Sequence, residues 1–185
     1  MAIINKSRLE LNFVLISVPI IFILSFISHY IFNLSGKIIL LAIIFPINES
    51  IFQHLKLCFY PTIFFWLISY LLLNKKLTIN YTNWIFSMII SSLISIYFLL
   101  SLYYIASGAF NVHSLFFDIT SLFISIILGQ LLGIHLYNHS DINDYYFSLD
   151  YVLIIIMIFF TLFTFFPPKL PIFLDTSTNS YEFTP

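Results

Sequence analysis

Five stretches of this chain stay apolar for about as long as a helix needs to cross a lipid bilayer. They lie at roughly 11–32, 48–73, 83–106, 114–137 and 149–166. About 20 helical residues, rising ~1.5 Å each, span a hydrocarbon core of ~30 Å. In that medium every backbone N–H and C=O must be satisfied within the protein, and a helix does this inside its own segment. The expected fold is all-α, an integral membrane helical bundle of about five transmembrane helices. It forms one membrane domain over 1–185, with a polar C-terminal tail at 167–185. Pro19 falls in the first stretch, where serines and neighbouring helices can re-satisfy the carbonyl it frees. Between the first two stretches, "SGKIILLAIIFP" holds only eight apolar residues, Ile38 to Phe45. That is too few to span, so a short re-entrant or interfacial segment ending at Pro46 is expected.

Charge is scarce. The chain is 61% hydrophobic and 8% charged, where soluble domains carry about 25% charged residues. A water-facing surface cannot be built from this inventory, which makes the lipid bilayer the expected partner. With a formal net charge of −1 and no basic patch to neutralise phosphates, a nucleic-acid partner is excluded. Cys58 is the single cysteine; it has no mate for a disulfide or a Cys-based zinc site and reads as a packing residue. The first apolar run exceeds the ~7–15-residue core of a signal peptide and reads as an uncleaved helix. Lys6 and Arg8 precede that helix and Lys75 and Lys76 follow the second, all on one side, against Lys37, Lys56 and Lys169 elsewhere. Cytoplasmic loops are enriched in Lys and Arg. The chain is therefore read as multi-pass in the cell membrane, N-terminus cytoplasmic and C-terminus outside.

One short block concentrates polar groups. "FPINESIFQHLKLCFYP", residues 45–61, contains Glu49, Gln53, His54 and Lys56 amid Ile, Leu and Phe. At about 100° per residue, Glu49, Gln53 and Lys56 would fall within about 60° on one helix face. Asn48 is the expected N-cap, with Glu49 in the first turn, where an acid is favoured. The up-and-down topology carries this block to the same end as His29, which closes the first helix. His113 and Asp118 open the fourth helix there, and Lys169 and Asp175 follow the fifth. The expected site is a polar pocket at one membrane face, formed by Asn48, Glu49, Ser50, Gln53, His54, Lys56, Asp118, His29 and Asp175. A charge at membrane depth costs roughly 2.5–3.5 kcal/mol on insertion scales and by default marks function. A purely structural alternative is an Asp118–Lys56 ion pair joining the second and fourth helices.

Three further groups read more simply. Gln130, about 18 Å along the fourth helix from Asp118, is expected to hydrogen-bond between helices. His135 and His139 have the i, i+4 spacing that suits a metal. With no acidic third ligand fixed beside them, they read as solvated. Asp141, Asp144 and Asp150 read as a solvated acidic loop.

The blocks "HYIFNLSG", "FPINESIFQHLKLCFYP", "FDITSLFISIILGQLLG" and "FTFFPPKLPIFLD", in that order, resemble a bacterial family of small polytopic membrane proteins known as domain of unknown function 6512. Its pattern is Asn-Glu-Ser-x-Trp-Glu-His-x-Lys at the second helix, an Asp and a Gly-Gln in the fourth, and Pro-Pro-x-x-Pro-x-Phe-x-Asp at the end. Carried over residue by residue, the resemblance falls on Asn48, Glu49, Ser50, His54 and Lys56, and on Asp118 and Gln130. It continues through Pro167, Pro168, Pro171 and Asp175, and His29 matches a histidine near the end of the first helix. Phe52-Gln53 stands where the family has Trp-Glu, an amide for an acid, and the ending around Tyr181 lacks the family's Gly pair. The resemblance implies the membrane architecture and supplies no activity.

Three functions stay open for this multi-pass protein of unknown activity. The leading one is a non-catalytic scaffold or accessory protein whose polar layer fixes helix packing and binds a partner membrane protein or a second copy. The second is an intramembrane metal-dependent hydrolase or transferase, with zinc held among Glu49, His54, Asp118 and His29. No H-E-x-x-H motif occurs, so such a site must be assembled between helices. The third is a small proton-coupled transporter, for which a dimer is expected. No cofactor is evident from the sequence itself.

Overall fold

The computed structural model describes residues 6–75, 78–112, 114–140, 142 and 149–181. Lys76, His113, Asp141 and Asp144 lie outside the described residues. The described chain is helical: α1 is Lys6–Leu34, α2 Ile51–Leu73, α3 Tyr81–Ala109, α4 Leu115–His139 and α5 Leu149–Phe165. Four of these, α1 to α4, are long and apolar enough to cross a membrane. The fifth expected span is shorter. Its 17 residues reach about 26 Å at ~1.5 Å each, less than a ~30 Å hydrocarbon core. It still connects the two ends of the bundle. At its start Tyr81 Oη donates to Asp150 Oδ1 over 2.7 Å, and the chain beyond it reaches Glu49, whose carbonyl accepts from Thr176 Oγ1 at 3.2 Å.

The surface is apolar, unlike that of a water-soluble bundle, and the interior mixes large apolar side chains with small polar ones. Leu15, Leu71, Leu72 and Ile155 are each at least 60% exposed, whereas Ser17, Ser25, Ser87, Ser91, Ser95, Ser121 and Ser125 are buried. In lipid no hydrophobic drive separates helix from tail, so small residues that let backbones approach take the interfaces. The tightest approach is between α3 and α4. A Cβ added at Gly129 would lie 2.5 Å from the Ser91 carbonyl oxygen, and one at Gly133 would lie 2.7 Å from Ser91 Cβ. Gln130 sits between these glycines and is fully buried. Its Oε1 accepts from Trp66 Nε1 at 2.9 Å and its Nε2 donates to Ser91 Oγ at 2.9 Å, tying α4 to α2 and α3 as expected.

The segment between α1 and α2 is short and non-spanning, as anticipated. The chain turns out of α1 through Gly36 at φ 73°, followed by Lys37 at φ 63°, and then makes a 3-10 turn over Ile39–Ile43. What holds this turn against α2 is Lys56. Its side chain is buried to 1% exposure, and Nζ donates to Ala42 O at 2.6 Å and to Phe45 O at 3.3 Å. The alternative Lys56–Asp118 ion pair does not form; the charge answers two carbonyl dipoles instead. The C-terminal tail folds back on the same end, with Phe173 packed on Phe52 at 4.6 Å between ring centroids.

Candidate functional site

The "NES" of the polar block sets the geometry. Asn48 Oδ1 accepts from Ser50 N at 3.1 Å, and Ser50 Oγ accepts from Gln53 N at 3.3 Å as the N-cap of α2. The cap is thus Ser50 and not Asn48, because the Asn side chain is engaged two residues too early, by Ser50 N. Glu49 consequently stands outside the helix. The expected shared face of Glu49, Gln53 and Lys56 is not formed, since helical angles do not apply to a residue before the cap. Gln53 turns to α5, where Nε2 lies 3.5 Å from Thr164 Oγ1, and its Oε1 is buried with no partner among the described residues.

Glu49 instead meets two histidines. His54 Nε2 is 3.4 Å and His29 Nε2 3.7 Å from Glu49 Oε2, and the two ring nitrogens are 3.3 Å apart. His54 Nδ1 lies 2.9 Å from Ser50 O. A carbonyl can only accept, so Nδ1 carries the hydrogen and Nε2 is the atom turned to Glu49 and His29. The hydrogen bond from His54 holds the Glu49 carboxyl below its ordinary pKa, against the opposing effect of burial, and the charges of His54 and His29 add to the lowering. The tail supports this arrangement from behind. Burial alone would raise the Asp175 carboxyl, but hydrogen bonds from Ser177 and Thr178, and the Glu49 backbone N–H, bring its pKa below the ordinary value. Asp175 is therefore a positioning residue, and it orders the turn that carries Thr176 onto the Glu49 carbonyl.

His29, Glu49 and His54 border a cavity of about 600 Å³ between α1, α2, α3 and α4. Phe22, Leu57, Leu99 and Leu122 supply apolar wall, and Asp118 faces the same space from the first turn of α4. Of the nine residues expected to share a pocket, these four polar ones do. Asn48, Ser50, Gln53, Lys56 and Asp175 cap, brace or buttress without lining the cavity. Asp118 also stands outside the cluster of mutually close ligand atoms, which comprises His29, Glu49 and His54. The edge of a tetrahedron with ~2.0–2.1 Å metal–ligand bonds is about 3.3–3.4 Å, and two of the three observed separations match it. Sequence reasoning did not bring out Thr176, Tyr103 or Ser114 as cavity residues. It also left out Glu10, which stands near His135 and His139 at the far end of the bundle.

An apolar helical bundle with four potential spans and a histidine–carboxylate cluster over a greasy cavity defines the class to which this chain conforms. The chain belongs to a family of unknown function, DUF6512, whose sequence model matches residues 1–183. Comparison with curated proteins and with solved structures finds no match.

Proposed function

We propose that this is a membrane-embedded metal-dependent hydrolase acting on an amphiphilic ester. The observation that carries the reading is the convergence of His29 Nε2, Glu49 Oε2 and His54 Nε2 at 3.3, 3.4 and 3.7 Å on the border of the cavity. Two histidines and a carboxylate are a catalytic zinc donor set, which leaves the fourth position open. A zinc ion there would acidify a water and polarise the scissile bond. The chain's own residues supply the rest. Asp118, on the wall of the same cavity, takes a proton from the attacking water as general base. Phe22, Leu57, Leu99 and Leu122 receive the apolar part of the substrate and exclude bulk water. Water adds across the ester and an acid and an alcohol leave.

The competing readings have less to stand on. A proton relay would draw on Lys56 and Gln130, yet each is engaged in bonds that hold elements together. Those same bonds meet the packing needs a scaffold reading assigns to the polar layer, and the His–Glu–His cluster goes beyond them. With Lys6, Arg8 and Lys75 on the cytoplasmic side, the cavity opens at the outer membrane face. The test is metal analysis of detergent-purified protein beside His29→Ala/His54→Ala, followed by turnover of medium-chain esters. One zinc equivalent and the ester activity should vanish together in the double variant. Equal zinc content in both proteins would overturn the proposal.

A further inference from the structure

The end of the bundle away from the cavity carries a second constellation. His135 and His139, about 26 Å and about 32 Å along α4 from Asp118, are stacked with ring centroids 4.2 Å apart and planes 23° from parallel. Glu10 reaches them from α1, with Oε1 3.8 Å from His139 Nδ1. One ligand atom from each of the three lies within 4.8 Å of the other two. Asn138 Nδ2 donates to Glu10 Oε1 at 2.7 Å and fixes the carboxylate between the helices. Glu10 and His135 also border a largely apolar cavity of about 590 Å³ formed with α3.

We infer that Glu10, His135 and His139 form a second divalent-cation site, a structural clamp that ties the start of α1 to the end of α4. Two histidines one helical turn apart chelate a single ion from one face, the arrangement used by helical zinc motifs. A carboxylate from another helix completes a two-histidine, one-carboxylate set. The acid that serves as general base between the histidines of a helical metalloprotease is absent here, since Leu136, Tyr137 and Asn138 occupy the interval. The site therefore holds an ion without hydrolytic equipment. His139 Nδ1 is both the nitrogen facing Glu10 Oε1, at 3.8 Å, and the one that donates to His135 O at 2.8 Å, so taking an ion beside Glu10 requires the ring to give up the bond to His135 O and move. That movement makes this site weaker than the preformed cluster at the cavity.

The inference is independent of the hydrolase reading, and one titration separates them. The full chain, purified in detergent and stripped with a chelator, is titrated with Zn²⁺. Bound metal is read by plasma mass spectrometry and the melting temperature is followed. The expected stoichiometry is two per wild-type chain, one in His135→Ala/His139→Ala and one in His29→Ala/His54→Ala. Asn138→Ala, which removes only the brace on Glu10, should weaken the second equivalent by about 10–100-fold. Zinc should raise the melting temperature of the His29→Ala/His54→Ala protein, and Glu10→Gln on that background should abolish the rise. The clamp is overturned if His135→Ala/His139→Ala binds as much zinc as wild type, or if Glu10→Gln leaves the rise intact. Loss of one equivalent in His135→Ala/His139→Ala, with none lost in His29→Ala/His54→Ala, would support the clamp while sinking the cavity centre.

Discussion

His54 Nε2 lies 3.3 Å from His29 Nε2, although the two residues are 25 positions apart and on different helices. Two imidazole nitrogens so close repel when both present lone pairs, and repel again when both are protonated. Glu49 Oε2, 3.4 Å from one and 3.7 Å from the other, adds a third electron-rich atom. A shared proton relieves one pair; a cation between them relieves all three. We predict that His54→Ala weakens zinc binding at the cavity by more than about 100-fold, since even outer-shell partners of a metal cost ~10–100-fold when removed. Isothermal titration of the stripped protein checks this, and unchanged affinity would refute the shared-cation account.

On the proposed hydrolase reading, Asp118 would separate binding from chemistry. It borders the cavity but not the cluster of ligand atoms, so Asp118→Asn should retain the cavity zinc. A positioned general base contributes typically ~10²–10⁴-fold, and ester turnover should fall by that order. A variant that loses its metal instead would make Asp118 a ligand and not a base.

Among the described residues, the two carboxylates outside the helices predict a pH profile. Glu49 and Asp175 are both held below their ordinary values of 4.5 and 3.8. A carboxyl whose folded-state pKa is depressed contributes stability that is complete above the unfolded-state value and disappears as pH falls through the folded-state one. The melting temperature should therefore hold steady down to about pH 5 and decline below it. Because Asp175 accepts from Ser177 N, Ser177 Oγ and Thr178 Oγ1, Asp175→Asn should melt lower at pH 7 and fall less steeply in acid. Parallel curves for the two proteins would show that the tail turn does not carry this dependence.

What could be read in advance followed the scale of the interaction. Helix number and the gathering of His29, Glu49, His54 and Asp118 at one end follow from apolar length and alternating direction, which are properties of whole segments. Gln130 was equally legible, because an amide in an apolar helix must find partners in neighbouring ones. The errors lie where one local hydrogen bond decides. Asn48 bonding Ser50 N moved the cap by two residues and took Glu49 off the helical face. Lys56 was expected to seek a carboxylate, yet the 3-10 turn offered carbonyls nearer by. Glu10 was invisible as a partner of His135 and His139 because its contact with Asn138 joins residues 128 positions apart. Nothing in sequence spacing reports which helices touch.

The α3–α4 contact yields the sharpest test of the packing. At Gly129 an added Cβ would meet the Ser95 side chain and lie 2.5 Å from the Ser91 carbonyl oxygen. The serine can rotate, but a backbone carbonyl inside a helix cannot move without shifting the helix. Overpacking of this kind costs about 1–3 kcal/mol, and in lipid close approach is itself the main attraction between helices. Gly129→Ala should therefore destabilise the bundle by that amount in a detergent unfolding titration, and adding Ser95→Ala should restore only part of it. Gly108, in α3, has nothing within 4 Å of its would-be Cβ. Alanine there removes glycine's helix penalty of about 0.8–1.0 kcal/mol, so Gly108→Ala should be neutral or stabilising. If both alanines behaved alike, backbone contact between α3 and α4 would not be what holds them together.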